Sequence, residues 1–412
     1  MSQRIVRTWI RRPLTSRVRA ETPVGVPRTD RIAYRNQHTA SAVATSRVAS
    51  TAPHESVSAT NAAGKRSTFS FYAYVPLAPE RTVHLQRQIK RHLGKDMGVL
   101  GRIYLSTEGI NGQISCPAAR TADLAPFFAR FEEFCTLTFN EALDHTESFQ
   151  RLAVNIREQI VRDHVPATKA AIGPAPTALT PEEWHRQLSG EAAAGTHTLI
   201  DMRNNYESSV GYFRHALKPD VTRFADEIRI LPELVRGKER EPVYMYCTGG
   251  IRCTKAGALL RARGFQDVRM LAGGITAYGR FIQRTGQPSL YVGKNFTFDQ
   301  RLGEDVTDDV VGTCYQCGAS CDRFTNCASS ACNTLFLQCP TCAKAYHRTC
   351  ADRRCLDHVR APTHQSASPP TQEACRWQHR ERVDPTIVRA RITRNLVALR
   401  ASGEYIEDGT AQ

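Results

Sequence analysis

Cys247 ends the apolar run Pro-Val-Tyr-Met-Tyr and is followed by Thr248, Gly249, Gly250, Ile251 and Arg252, after which "CTKAGALL" has helical spacing. A strand ending in cysteine, a glycine turn and a helix together predict an anion cradle. The glycines permit a curled backbone, and successive N–H groups converge at the positive end of the helix. Such a field lowers a thiol pKa, so Cys247 is expected to be thiolate-rich near neutral pH, with Arg252 adding a fixed positive charge. A cysteine that only closes a core strand needs no such turn. Cys253, six residues on, is placed to resolve a persulfide or sulfenate on Cys247; the alternative is a packed, inert thiol. Four residues separate Cys247 from Arg252. Cysteine-dependent phosphatases use a loop one residue longer, and the tighter ring suits a persulfide or a single sulfur-bearing group.

A second constellation lies further along. Of fourteen cysteines, nine fall between Cys314 and Cys355. The knuckles Cys314/Cys317 and Cys339/Cys342, twenty-one residues apart, bring paired thiolates to one tetrahedral zinc. Cys327, Cys332, Cys350 and Cys355 supply a second site, with Cys321 or His347 able to replace one ligand or stand free. Closed all-cysteine sites leave no open coordination position, so two structural zincs are expected rather than catalytic ones, and an iron–sulfur cluster is less favoured. No compact apolar signal segment precedes them, which argues for a reducing compartment and against a disulfide framework.

The formal charge of +15 favours a polyanionic partner, but residues 1–66 hold twelve Lys/Arg against three acids, hence +9 of it. The first twenty residues carry six arginines and no acid, with Ile5, Val6, Trp9 and Ile10 between them. That composition is expected of a mitochondrial transit peptide, with a disordered basic extension on a cytoplasmic protein as the alternative. No run of about 18 apolar residues appears, so no membrane span is expected.

These residues need scaffolding, and the pattern supplies it. Residues 68–165 read as β-α-β-β-α-β, a ferredoxin-like (acylphosphatase-like) α+β sandwich: "TFSFYAYVPL", the helix "VHLQRQIKRHLGK", two strands in "GRIYLSTEGINGQISC", the helix "LAPFFARFEEF" and the strand "LAVNIREQIV". Arg102, Tyr104, Glu108 and Asn111 can line an RNA-facing surface here, with Lys90, Arg91 and Lys95 on phosphates. The alternative is a tight hairpin at Gly109–Gly112 beside a solvated basic helix. A Pro/Ala/Gly linker spans 166–180. Thr180, Pro181 and Glu183 then open a helix as N-cap, first-turn proline and capping-box acid. Residues 181–290 read as a parallel α/β unit, 311–358 as the cysteine-rich module, and 359–412 as a linker with a basic helix over Pro385–Ser402.

"LIDMRNNYE", "GYFRHA", "YCTGGIRC" and "LAGGITAY" together resemble a rhodanese domain. The resemblance implies that Cys247 carries transferable sulfur and that Asp201, Arg203 and Glu207 form a structural salt-bridge network. His215 departs from the pattern, where glycine is usual. With "STEGINGQIS" before it and "CYQCG…TNCASSACNTLFLQC" after it, the chain over roughly 68–356 is similar to the rhodanese-fused, oxygen-dependent tRNA uridine hydroxylases. What that implies is conversion of the wobble uridine of tRNA to 5-hydroxyuridine with molecular oxygen, Cys247 being essential. The residues show no two-His-one-carboxylate triad and no GxGxxG. Two other readings stay open: a sulfurtransferase passing persulfide from a sulfur donor, and a non-enzymatic zinc and RNA-binding adaptor.

Overall fold

The computed structural model describes residues 65–165, 173–189, 197–361 and 379–402. The basic leader, and with it the expected transit peptide, lies outside the described residues.

The first domain runs β1 (Arg66–Tyr74), α1 (Pro79–Arg91), β2 (Leu100–Ser106), β3 (Gly109–Pro117), α2 (Leu124–Ala129), β4 (Asn140–Glu141) and β5 (Leu152–Ile156). Its sheet has the order β4-β1-β3-β2-β5, antiparallel except where β5 joins β2 in parallel. The strand expected at "LAVNI" therefore extends the β2 edge, while the two-residue β4 holds the far place beside β1. Alternation along the strands sorts the side chains. Phe71, Ile103, Leu105, Ile110 and Ile114 join Leu85 and Ile89 of α1 in one core. Tyr72, Tyr74, Arg102, Tyr104, Asn111 and Gln113 alternate with them and so point to the opposite face, away from α1.

The second domain follows as β6 (Thr177–Leu179), α3 (Pro181–Leu188), β7 (Thr198–Asp201), α4 (Asn205–Ser208), β8 (Gly211–Phe213), α5 (Phe224–Leu234), β9 (Val243–Tyr246), α6 (Ile251–Ala262), β10 (Val268–Leu271) and α7 (Gly274–Thr285). The Thr180/Glu183 capping box forms as its spacing predicts. The sheet is parallel, ordered β6-β10-β9-β7, and β7 and β9 are buried along their whole length, as strands covered on both faces must be. β9 lies inside the sheet, so its carboxyl end, where open α/β sheets place their ligands, delivers Cys247. β8 leaves this sheet and pairs with β11 (Tyr291–Asn295), which pairs in turn with β12 (Glu304–Asp305).

The cysteine-rich module holds β13 (Phe324–Asn326), β14 (Leu335–Leu337), α8 (Pro340–Ala345) and α9 (Arg353–Arg360), followed by α10 (His379–Val383) and α11 (Pro385–Ala401). Asp384 caps α11, accepting from the N–H groups of Thr386 and Ile387. Val388, Ile392, Leu396 and Leu399 of α11 share one core with Phe336, Leu337 and the module's cysteines. The basic helix is thus a packed element of the module.

Candidate active site

The loop after β9 curls around the Cys247 sulfur. Gly250 sits at φ 100° and donates its N–H to Sγ at 3.1 Å. That left-handed conformation suits glycine, and a Cβ there would stand 2.9 Å from the Tyr72 hydroxyl. The "AGGITAY" segment holds the loop from behind. Ile275 and Thr276 donate backbone N–H groups to the carbonyls of Cys247 and Thr248, and a Cβ on Gly274 would meet those carbonyls at about 2.5 Å. Tyr72 and Tyr74 of β1 reach across from the first domain, meeting Thr254 at 3.0 Å and the Ile251 carbonyl at 3.3 Å.

Burial pushes the Cys247 thiol up, but the Cys253 side chain, the Arg252 guanidinium and the N–H groups of Cys253 and Gly250 outweigh it, and the pKa falls to about 5. Burial and the neighbouring Cys247 sulfur hold the Cys253 thiol well above its ordinary value. Cys253 is therefore the thiol that donates to the Cys247 thiolate. The sign of the pH dependence follows. Alkylation of Cys247 by iodoacetamide is expected to rise through about pH 5 and level off by neutrality, whereas a free cysteine rises near 8.5. A rate that climbs only above pH 8 contradicts the cradle.

Arg252 is 7% exposed and grips Glu207 with both nitrogens, at 2.7 and 2.8 Å. Its charge, expected from the sequence as a fixed positive charge beside Cys247, is shared between that carboxylate and the sulfur. Glu207 also accepts the Asn204 N–H. Asp201 pairs with Arg203 through two bonds of 2.7 and 2.8 Å and accepts from Tyr246 at 2.8 Å, wholly buried. The expected network is thus two separate buried pairs, and only Glu207–Arg252 touches the cradle. Replacing Glu207 by alanine leaves the Arg252 charge buried and unpaired, a loss of about 3–5 kcal/mol. A lowered denaturation midpoint checks it, with part of the loss recovered in the Glu207→Gln/Arg252→Met double variant. His215 is exposed at φ 66°, a strained conformation for a non-glycine residue and outside the cavity wall.

Above the sulfur lies a cavity of about 570 Å³ between the two domains. Its floor is Cys247, Thr248, Gly249, Ile251 and Arg252; Arg102, Tyr104, Asn111 and Gln113 of the first sheet form the facing wall. His379 of α10 closes one side, with Nε2 3.2 Å from the Thr222 carbonyl. Among the described residues no aspartate or glutamate lines it.

The candidate RNA-facing residues divide. Arg102, Tyr104 and Asn111 line the cavity. Glu108 does not: it pairs with Lys255 of α6 at 2.8 Å, as does Asp163, and it accepts the Ile160 N–H at 2.6 Å. This nearly dry triad fastens the first domain to the helix that follows Cys247, so Glu108 is a positioning residue and its RNA-facing assignment is corrected. Lys90, Arg91 and Lys95 are exposed at the end of α1, whose buried side packs on the sheet face opposite the cavity. They are away from Cys247, on the far side of the first sheet.

Three residues escaped the sequence reading. Phe298, 36% exposed, stands at the cavity edge with the Arg252 guanidinium 5.9 Å from its ring centre. Lys255 carried no signal, since its partner Glu108 is 147 positions away. Glu227 of α5 is fully buried, both carboxyl oxygens lack a partner among the described residues, and burial pushes its pKa well above the carboxylate range. A neutral acid there spares the core an unpaired charge.

In the module, Cys314, Cys317, Cys339 and Cys342 form one group and Cys327, Cys332, Cys350 and Cys355 another, each with sulfurs within 4.8 Å of one another. Both groups can hold a metal ion. Cys321 lies apart, its sulfur 4.0 Å from the Arg323 carbonyl, and His347 is exposed.

Known proteins match this arrangement in order. The family descriptions "UPF0176 acylphosphatase like domain", "Rhodanese-like domain" and "Rhodanase C-terminal" match residues 66–160, 180–280 and 292–356. The tRNA uridine(34) hydroxylase of Leptospira interrogans is 39% identical over 286 residues, covering 69% of this chain and 76% of that protein. Its counterpart from Pectobacterium carotovorum is 38% identical over 299 residues, covering 72% and 82%. That of Escherichia coli is 37% identical over 289 residues, covering 70% and 81%.

Proposed function

This chain belongs to the tRNA uridine(34) hydroxylase family, and from that premise we propose that it converts the wobble uridine of tRNA to 5-hydroxyuridine with dioxygen, Cys247 being the reacting sulfur. The observation that carries the reading is a thiolate in an N–H cradle at the floor of a cavity of about 570 Å³ that no acid lines among the described residues, within the size range of small-molecule sites. Asn111 donates one amide hydrogen to the Ile160 carbonyl at 2.9 Å and keeps its carbonyl; Gln113 gives its carbonyl to Arg102 at 3.0 Å and keeps its amide hydrogens. One acceptor and one donor are what the N3–H and a carbonyl of uracil require.

The electron balance supports a role for both cysteines. When dioxygen places one atom on C5, the other leaves as water, and this takes two electrons and two protons. A dithiol becoming a disulfide supplies both, and Cys253 touches Cys247. An external thiol then restores the pair by exchange. Cys253→Ser is expected to retain the low Cys247 pKa's backbone component while losing repeated turnover.

A second reading is favoured by one observation, the short rhodanese-type loop: Cys247 carries persulfide sulfur from a donor to tRNA. Mass spectrometry of tRNA nucleosides from a strain lacking the protein separates the two. Loss of 5-hydroxyuridine derivatives supports hydroxylation; loss of thiouridine supports sulfur transfer and ends the first reading.

The metal proposed for both cysteine groups is zinc. A tetrahedron with Zn–S of about 2.3 Å has edges of roughly 3.8 Å. The Cys317–Cys339, Cys332–Cys350 and Cys350–Cys355 sulfurs are 3.7, 3.7 and 3.8 Å apart. Four thiolates fill such a site, so its role is structural. Among the described residues no helix is long and apolar enough to cross a membrane. The arginine-rich, acid-free first twenty residues support mitochondrial import, which fusing residues 1–66 to a fluorescent protein tests.

A further inference from the structure

Two hollows meet at Phe298. One is the Cys247 cavity. The other, about 870 Å³, runs between the β2–β5 edge of the first sheet and β13 of the cysteine-rich module. Arg102 and Phe298 line both, so the two hollows adjoin at these residues.

The second hollow is strongly basic. Arg151 lies beside β5, Arg323 just before β13 and Arg348 two residues before Cys350. All three are exposed, and none is in an ion pair among the described residues. Arg301 also lines the groove but is engaged by Asp299 at 2.7 Å and Glu304 at 3.3 Å. Among the described residues Asp299 is the groove's lone lining acid, and that same pair occupies it. Asp322, next to Arg323, faces Lys294 at 3.4 Å. Three uncompensated guanidinium groups thus lead to a ring that is 36% exposed. Phe298 is held in place by its carbonyl, which accepts from Arg102 at 3.0 Å, and by edge-to-face contact with Phe296 at 5.2 Å.

We infer that this groove carries the tRNA strand adjoining the target uridine, with its phosphates on Arg151, Arg323 and Arg348 and a base stacked on Phe298. The inference rests on the uridine-hydroxylase reading and adds the path of the substrate. An extended strand presents phosphates on one side and bases on the other, and a basic track ending in an exposed aromatic ring matches both. The cysteine-rich module thereby gains a role beyond stability, because it positions two of the three arginines. Arg348, at φ 56°, is fixed in a tight turn leading into Cys350.

The test uses the full chain and a fluorescent anticodon stem–loop RNA, with binding measured by anisotropy against salt. The Arg151→Glu/Arg323→Glu/Arg348→Glu variant is expected to bind at least about ten-fold more weakly. Its log–log salt slope is expected to be shallower by about two, near 0.7 for each single-strand phosphate that is no longer neutralised. Phe298→Ala is expected to weaken binding roughly ten-fold with an unchanged slope, and Phe298→Trp to restore it. A circular-dichroism spectrum and a denaturation midpoint matching those of the wild type show that each variant is folded. Wild-type affinity and slope in the arginine variant overturn the inference. So does polyglutamate binding as tightly as the RNA with Phe298→Ala changing neither, which would make the groove a site for an acidic protein segment. Binding that depends on these residues in a protein that hydroxylates no uridine leaves the groove assigned and removes the hydroxylase reading instead.

Discussion

Serine in place of Cys247 is expected to lower 5-hydroxyuridine formation by at least about 10³-fold without loss of fold, as removal of a reacting nucleophile does. The side chains are nearly isosteric, so the packing of the β9 end survives. What changes is charge. The cradle brings the thiol to about 5, so at neutral pH the sulfur is an anion facing the Gly250 N–H and the Cys253 thiol. A serine hydroxyl stays neutral there and leaves the donors aimed at a poor acceptor. Quantifying nucleosides in tRNA from cells carrying each form reads the effect. Circular dichroism shows whether the variant is folded, and tRNA anisotropy shows whether it still binds. If the serine form supports modification to within a few-fold, the sulfur is only a packing atom and both catalytic readings of the loop fail.

Metal removal is expected to have the largest effect on stability. The core beneath α11 is built substantially from cysteines: sulfurs of both groups share it with Phe336, Leu337, Ile392 and Leu396. Without a cation, four sulfurs within 4.8 Å must protonate or repel one another. Structural zinc contributes on the order of 10–16 kcal/mol in zinc-finger peptides at neutral pH, more than the net stability of an ordinary domain. Chelation is therefore expected to release two zinc ions per chain, unfold the module and free α11 to proteolysis. Elemental analysis and limited proteolysis before and after chelator check this. A metal-free protein with an unchanged proteolytic pattern contradicts it.

The geometry of both sites was legible because it is local. Cys247 to Arg252 is one turn of chain, and the glycine conformations it needs are written in the residues themselves. The pairing of Cys314/Cys317 with Cys339/Cys342 followed from the geometry of the CxxC knuckle. The interface between domains was not legible. Glu108 looked like an exposed acid in a hairpin, and only the approach of α6 turns it into the partner of Lys255. Nor was it legible that Lys90, Arg91 and Lys95 stand on the side away from Cys247, because charge is visible in sequence while the face of a sheet is not. The same alternation that exiled them points Arg102, Tyr104 and Asn111 at the sulfur. Phe298 had no motif; its exposure beside Arg252 exists only in three dimensions. The path of β5, beside β2 rather than β1, likewise depends on the parallel crossover and on no residue of its own.

The most direct test supplies isotopically labelled dioxygen to the purified protein with unmodified tRNA and a thiol reductant, and measures the mass of the wobble nucleoside. The expected result is 5-hydroxyuridine bearing one labelled oxygen atom, absent with Cys247→Ser. Product whose oxygen comes from water, no hydroxylated product, or sulfur in its place contradicts the assignment.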